Sequence, residues 1–277
     1  MSLIAQWQAL LAEVPARAIG LTMWLFLVMV LLVPLERRLP LRKSRLLRAG
    51  FDEDLVWYFL GGLVPAFFVA AATALATIIA NHLPAGWTHW AGALPLPLRI
   101  AVTVVAGELA YYRAHRWSHE VPYLWRFHAI HHSPEHVDWL VNTRAHPLDL
   151  AFARSFSTAV IVLTGLAQQT DADAVAAIAV FNTSWGFFIH ANCRIRLGWL
   201  EHVVTTPAFH HWHHAELDDG RAGRNYAALL PWIDRLFGTW HAPAVPPQRF
   251  GIAEHLPPGV IGQIVAPFRA PGVHGAA

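Results

Sequence analysis

Three short stretches of this chain carry histidines at helical spacing: His115-x-x-x-His119, His128-x-x-His131-His132, and His210-His211-Trp212-His213-His214. Residues three and four apart share one face of an α-helix. His115 with His119, His128 with His131 and His132, and His210 with His213 and His214 therefore form three helical faces that carry eight imidazoles. His211 lies about 100° around the helix from His210, so it is expected to be a surface or supporting residue. Imidazole suits iron, zinc and copper. A lone histidine on a helix is usually a satisfied polar residue. Many buried, unpaired imidazoles would each cost roughly 1–3 kcal/mol, a cost that metal binding removes. One catalytic zinc needs only three protein ligands, so eight point to two metal ions. The zinc-protease pattern HExxH is absent, because Val121, Pro122 and Tyr123 follow His119-Glu120. The Glu-x-x-His pairs of soluble di-iron bundles are absent too. The single cysteine, Cys193, excludes an intramolecular disulfide and a cysteine-ligated zinc or iron–sulfur site. An all-nitrogen shell around two irons is the expectation that remains.

The elements that must position these faces have the composition of a membrane protein. The 277 residues are 55% hydrophobic and only 14% charged, against about 25% charged in ordinary soluble domains. A formal charge of +2 is too small to imply nucleic acid. The start lacks a basic region before its apolar run and no small-residue cleavage site follows, so no secretory leader is expected. Residues 1–17 read as a mildly amphipathic lead-in. Eighteen uncharged, mostly apolar residues then separate Arg17 from Glu36, about the length of a membrane crossing. Arg37, Arg38, Arg42, Lys43, Arg45 and Arg48 come next, and basic loops stay cytoplasmic, so the N-terminus should lie outside. Residues 55–80 make a second span, with a kink expected at Gly61-Gly62 and Pro65. Residues 81–95 carry no charge, as suits an outer loop. A third span from about Leu96 to Ser118 brings His115 and His119 out at the inner side.

Glu108 is the one carboxylate deep in that third span, on the face of Tyr112 and His115. An ionisable residue at such depth is a functional candidate. A hydrogen bond from a ligand histidine to Glu108 is one expectation; burial against Tyr111 or Tyr112 is the other. Two shorter apolar runs, about 150–167 and 174–190, are expected to form a hairpin that enters the bilayer and crosses it incompletely. Both its ends face the cytoplasm, which puts His146 and His190 on the same side as the clusters. Residues 191–242 should be cytoplasmic, Ile252 to Val265 should lie along the surface, and the last ten residues should be mobile. His136, His202 and His241 read as bystanders, His82 and His89 as outer-side residues, His255 and His274 as tail residues. Arg116, Trp117, Trp125 and Arg126 read as interfacial anchors, with contact to an electron donor as a second role.

The order HRWSH, then HAIHH, then Pro207-Ala208-Phe209-His210-His211-Trp212-His213-His214 resembles the fatty acid hydroxylase and sterol desaturase superfamily of membrane di-iron enzymes. HHSPEHVDWLVNTRAHP (131–147), His190 followed by Asn192, and NYAALLPWIDRLFGTW (225–240) resemble its bacterial branch. The similarity covers roughly residues 100–255. It implies that His115, His119, His128, His131, His132, His210, His213 and His214, together with His146 and His190, hold the metal; Glu108, Tyr112 and Asn192 are expected to support them. The three-residue gap between His115 and His119 favours the hydroxylase side over acyl desaturases, which usually have a longer gap. The implied chemistry is O₂-dependent oxidation of an unactivated lipid C–H bond by two Fe. The chain has no glycine-rich dinucleotide fingerprint and no cysteine set. A ferredoxin, or a b-type cytochrome with its reductase, is therefore implied as external electron donor.

The expected fold class is all-α, a multi-pass transmembrane helical protein with a cytoplasmic histidine-rich cap. One domain is expected over 1–277: a transmembrane part (1–99), a catalytic core (100–255) and a tail (256–277). The expected function is a membrane monooxygenase that hydroxylates a fatty acyl, sterol or other lipid. One alternative is a lipid desaturase on the same di-iron centre; another, of a different class, is a membrane metal-binding or metal-transport protein. A transporter would place its ligands near mid-membrane on several spans, whereas these clusters sit at helix ends. Usage rich in Ala, Arg and Pro points to a bacterial inner membrane.

Overall fold

The computed structural model describes residues 12–216 and 223–269. Among them the secondary structure is helical. Strand-like pairing is limited to two isolated bridges, Pro40 with Cys193 and Ala215 with Phe250. Residues 217–222 and the end from 270 onward, including most of the segment expected to be mobile, lie outside the described residues, as do residues 1–11.

Helix α1 (Val14–Arg38) starts within the expected lead-in, with Pro15 in its first turn, and ends in Arg37 and Arg38. It is long and apolar enough to cross a membrane. Val28 is its one buried residue, while Ile19, Met23, Phe26, Leu27, Val30 and Leu31 stay exposed. An apolar helix bare on most sides suits lipid as its solvent. Helices α2 (Phe51–Leu63) and α3 (Pro65–Ala80) form one interrupted span. The break falls where Pro65 lacks an N–H to continue the ladder, as expected. Beside it, a Cβ on Gly62 would meet Leu21 at 2.7 Å and one on Gly61 would meet Leu150 at 2.9 Å. The two glycines thus let neighbouring helices approach closely.

Helix α4 (Leu96–Glu120) stops at Val121, where Pro122 opens α5 (Pro122–His132). Helix α6 (Pro147–Leu163) packs against α3 and α4, whereas α7 (Ala172–His190) returns along residues 139–143 and 207–213 and not along α6. Trp87 and Trp90, in the loop between α3 and α4, donate their indole N–H groups to the carbonyls of Leu163 and Thr164. Arg99 at the start of α4 donates to the carbonyl of Gln169. The α6–α7 turn therefore reaches the same end as the 81–95 loop. By length and composition α7 is itself a candidate span.

At the opposite end the loops knit together around buried charge. Arg48 pairs with Asp54 at 2.6 Å and Asp138 at 2.5 Å, and Arg144 pairs with Asp54 at 2.5 Å and Glu53 at 2.9 Å. Asp138 also caps the 3₁₀ turn Trp139–Thr143 by accepting the N–H groups of Leu140 and Val141. Val28, Tyr58, Trp139, Leu140, Phe187 and Cys193 pack into one apolar cluster joining α1, α2, this turn and α7. Short helices α8 (Pro207–His213), α9 (Trp232–Leu236) and α10 (Gly259–Val265) complete the cap.

Candidate metal centre

The last turns of α4 bring His115 and His119 to the cap, α5 supplies His128, His131 and His132, and α7 ends on His190. Thr206 caps α8 through its hydroxyl and Pro207 opens it, so His210 and His213 fall inside the helix and His214 closes it. All nine rings are buried. They sort into two groups, His115, His119, His128, His132 and His213 in one, His131, His190, His210 and His214 in the other. Within each group the candidate ligand atoms lie within 4.8 Å of one another. The groups adjoin: the His132 and His214 rings stack at 4.6 Å between centroids.

The second nitrogen of many rings fixes the proton. The Nδ1–H groups donate to the carbonyls of Tyr226 (from His115, 2.7 Å), Arg144 (from His131, 3.1 Å), Gly186 (from His190, 2.7 Å) and Arg224 (from His213, 2.7 Å). The Nδ1–H of His128 donates to the Asp149 carboxylate at 2.9 Å. A carbonyl can only accept, so each of these rings, when neutral, turns a bare Nε2 lone pair inward. Two such lone pairs, of His115 and His128, face each other at 3.2 Å, and those of His131 and His190 do so at 3.3 Å. The Nε2 of His213 is buried with no hydrogen-bond partner. Protonation would relieve the crowding, but burial and the neighbouring rings oppose it. The His131 pKa is pushed down to about 3, first by burial and then by His128. Burial likewise holds His132, His210, His213 and His214 well below the ordinary histidine range. Converging neutral nitrogen lone pairs in a dry site are what a transition-metal cation neutralises, so these residues fit a metal.

Of the residues singled out by sequence, the eight cluster histidines and His190 come together. His146 does not join either group. It caps α6, where its Nδ1 accepts the Leu148 N–H at 3.1 Å and its Nε2–H donates to the Ile264 carbonyl at 3.2 Å. Both ring nitrogens are occupied, which leaves no lone pair for a cation. Ile264 belongs to α10, so the segment expected along the surface docks onto this ring, although Ile261 remains exposed. His211 is buried beneath α7, its Nε2 facing the His190 carbonyl at 3.4 Å, a supporting residue but not a surface one. Trp125 is buried beside the His119 ring at 5.4 Å and donates to Glu254, so it is no interfacial anchor.

Glu108 touches no ligand histidine. Its carboxylate accepts the N–H groups of Leu229 (2.8 Å) and Leu230 (3.4 Å). It thereby holds the segment whose Tyr226 carbonyl receives His115, so the bond to a ligand histidine, one of the two expectations, does not form. Tyr112 packs edge-on to Tyr226 and bonds Thr239 at 2.9 Å, bracing the same segment. Asn192 ties the backbone of Arg42 to the end of α7 and reaches no ring. The carboxylate that does hold a cluster ring is Asp149, which also accepts from Ser118 at 3.1 Å. It reads from sequence as an ordinary acidic residue in the first turn of a helix. The carbonyls of Tyr226, Arg144, Gly186 and Arg224 carry no side-chain signal at all.

Comparisons with known proteins agree with this geometry. Residues 100–239 match the family model described as fatty acid hydroxylase. The ornithine lipid hydroxylase OlsE of Rhizobium tropici is 31% identical over 86% of this chain and 72% of its own length. The alkylglycerol monooxygenases of Danio rerio (30% identical) and Homo sapiens (33% identical) match over 56% and 49% of this chain. The chain spans only 30% and 29% of the length of these two. No solved structure gives a significant match. With a family match across half its length and a similar relative along most of it, the chain belongs to the fatty acid hydroxylase family.

Proposed function

We propose that this chain is a di-iron monooxygenase that hydroxylates an unactivated C–H bond of a membrane lipid, using O₂ and two electrons from an external donor. The observation that carries the reading is the division of nine buried histidines into two adjoining groups of inward-facing nitrogens. Two iron ions held there would supply the oxidising power for C–H cleavage. The chain's own contribution is positional and electrostatic. The carbonyls of Tyr226, Arg144, Gly186 and Arg224 and the carboxylate of Asp149 orient the rings and keep their protons on the outer nitrogen. Burial keeps water from competing for the site.

The atoms balance as one oxygen of O₂ entering the product and the other leaving as water, with two protons consumed. No cofactor motif for the electrons stands in the sequence, so a ferredoxin, or a b-type cytochrome with its reductase, delivers them. The basic loop 37–48 lies at the histidine end of the bundle, which supports a reading with this end on the cytoplasmic side of a bacterial inner membrane. A polar-headed lipid of the ornithine-lipid type is the first substrate to test, because that relative matches most of this chain.

The test pairs metal analysis of the anaerobically purified protein with lipid mass spectrometry of cells expressing it. A gain of one oxygen atom in a lipid, lost in His131→Ala together with metal, is expected. A loss of two hydrogens instead would identify a desaturase. Full turnover by a metal-free His131→Ala protein would end the proposal.

A further inference from the structure

We propose that the loop between α1 and α2 forms a binding pocket for a phosphate-bearing anion, the headgroup of a bilayer lipid. This rests on the membrane placement of the chain and not on the metal centre. A cavity of about 380 Å³ opens beside the C-terminal end of α1, lined among others by Glu36, Arg37, Lys43, Ser44, Arg45 and Trp139. That is the volume of about a dozen water molecules, room for a phosphate with its glycerol.

The charges around the cavity divide by direction. Two carboxylates line it, but both are engaged with the protein. Asp138 receives the Arg48 guanidinium at 2.5 and 2.8 Å and two backbone N–H groups besides. Glu36 accepts the N–H groups of Trp139 at 2.9 Å and Asn192 at 2.7 Å through one oxygen. Arg37, Lys43 and Arg45 are exposed and form no ion pair among the described residues. The Arg37 guanidinium donates to the Ser44 carbonyl at 2.9 Å, which curls the loop back over the cavity. With Asp138 already matched by Arg48, the three exposed cations outnumber the one remaining carboxylate, Glu36, so the hollow keeps a net positive charge that attracts an anion.

The surroundings select a lipid over a free ion. Leu39, Leu46 and Leu47, interleaved with these cations, are 45%, 47% and 71% exposed. Apolar and basic residues mixed in this way seat a loop at the boundary between hydrocarbon and water. Along α1, exposed Leu27, Leu31 and Pro34 recur every three or four residues and run down to Arg38 at the loop. An apolar track that ends at a cationic hollow matches an acyl chain below a charged head. The loop is fixed in place by Arg42, whose backbone bonds Asn192 and whose guanidinium donates to the carbonyls of Pro247 and Gln248.

The experiment uses the full chain in detergent. Native mass spectrometry would count bound phosphatidylglycerol and phosphatidylcholine, with inorganic phosphate as competitor. Wild type should prefer phosphatidylglycerol. Each basic residue near a membrane surface is worth roughly fivefold in affinity, so K43Q/R45Q should weaken it roughly 25-fold. K43R/R45K, which keeps the charges, should retain it, as should the control R196Q/R249Q. K43Q alone, expected to lose roughly fivefold, serves if the double variant does not fold. Displacement of the lipid by inorganic phosphate at equal concentration would overturn the lipid assignment. Undiminished lipid binding by folded K43Q/R45Q would overturn the pocket itself. Lipid retention by a chain that holds no iron would leave the pocket standing and remove the di-iron reading.

Discussion

Asp149 offers the sharpest test of how the histidine cluster is held. Its carboxylate receives the His128 Nδ1–H at 2.9 Å, and both side chains are almost wholly buried. Asp149→Asn can keep an oxygen on His128 and turn its amide away, so the hydrogen bond survives without charge. Charge-assisted hydrogen bonds contribute about 1.5–3 kcal/mol and neutral ones about 0.5–1.5 kcal/mol. The difference of about 1.5 kcal/mol corresponds to roughly a tenfold loss in metal affinity. Asp149→Ala leaves the His128 N–H buried without an acceptor and frees the ring to turn, so a loss of roughly 100-fold is expected, near the upper range for outer partners of ligating histidines. Competition against a chelator of known affinity, with iron counted by elemental analysis, measures both. The order wild type, Asn, Ala is the signature. Wild-type affinity in a folded Asp149→Ala protein would refute the reasoning, because His128 would then need no outer partner or hold no metal.

Three further outcomes follow from the same geometry. Burial pushes the His211 pKa down to about 4, so the native protein stays unprotonated there while an unfolded chain takes up a proton below about 6.5. Stability from this residue is present above pH 6.5 and falls as pH drops towards 4, by about 2 kcal/mol at pH 5; thermal melts of the chelated protein at pH 8 and pH 5 should show this, and His211→Gln should reduce the difference. Asp54→Ala strands Arg48 and Arg144 without their shared carboxylate, which should cost about 3–5 kcal/mol. It should also lower metal content, since the Arg144 carbonyl holds His131; melting temperature and iron content measured together check this. Gly62→Leu would push side-chain atoms into Leu21, prising α1 from α2 at about 1–3 kcal/mol, measured as a lower melting temperature in detergent with the histidine cap and its metal retained.

Much of the site was legible because helical spacing is a rigid ruler. His115 with His119, His128 with His132, and His210 with His214 are each four apart, and each pair stays within one group. His131 and His213, three residues on from His128 and His210, cross to the neighbouring group. Steps of three and four residues fall on opposite sides of a full turn, at about 300° and 400°. The angle that makes one face from afar therefore separates two groups of rings close up. The first two spans were equally legible, since a long apolar run has few other ways to satisfy its backbone; among the described residues the third helix long and apolar enough to cross is α7, not the expected α4.

The sequence by itself determined the helical membrane fold, the side-by-side arrival of the clustered histidines at one end, and the nitrogen chemistry of the centre, because these depend on local period and polarity. Tertiary structure alone decided between the two isolated histidines. His190 ends a helix that points into the cluster, whereas His146 spends both nitrogens on the Leu148 amide and the Ile264 carbonyl. It also gave Asp149 the outer contact that was one of two expectations for Glu108, because which carboxylate meets a ring depends on how α5 packs beside α6. Four rings are oriented by main-chain carbonyls, groups that every residue carries and that only the folded path of the chain can aim.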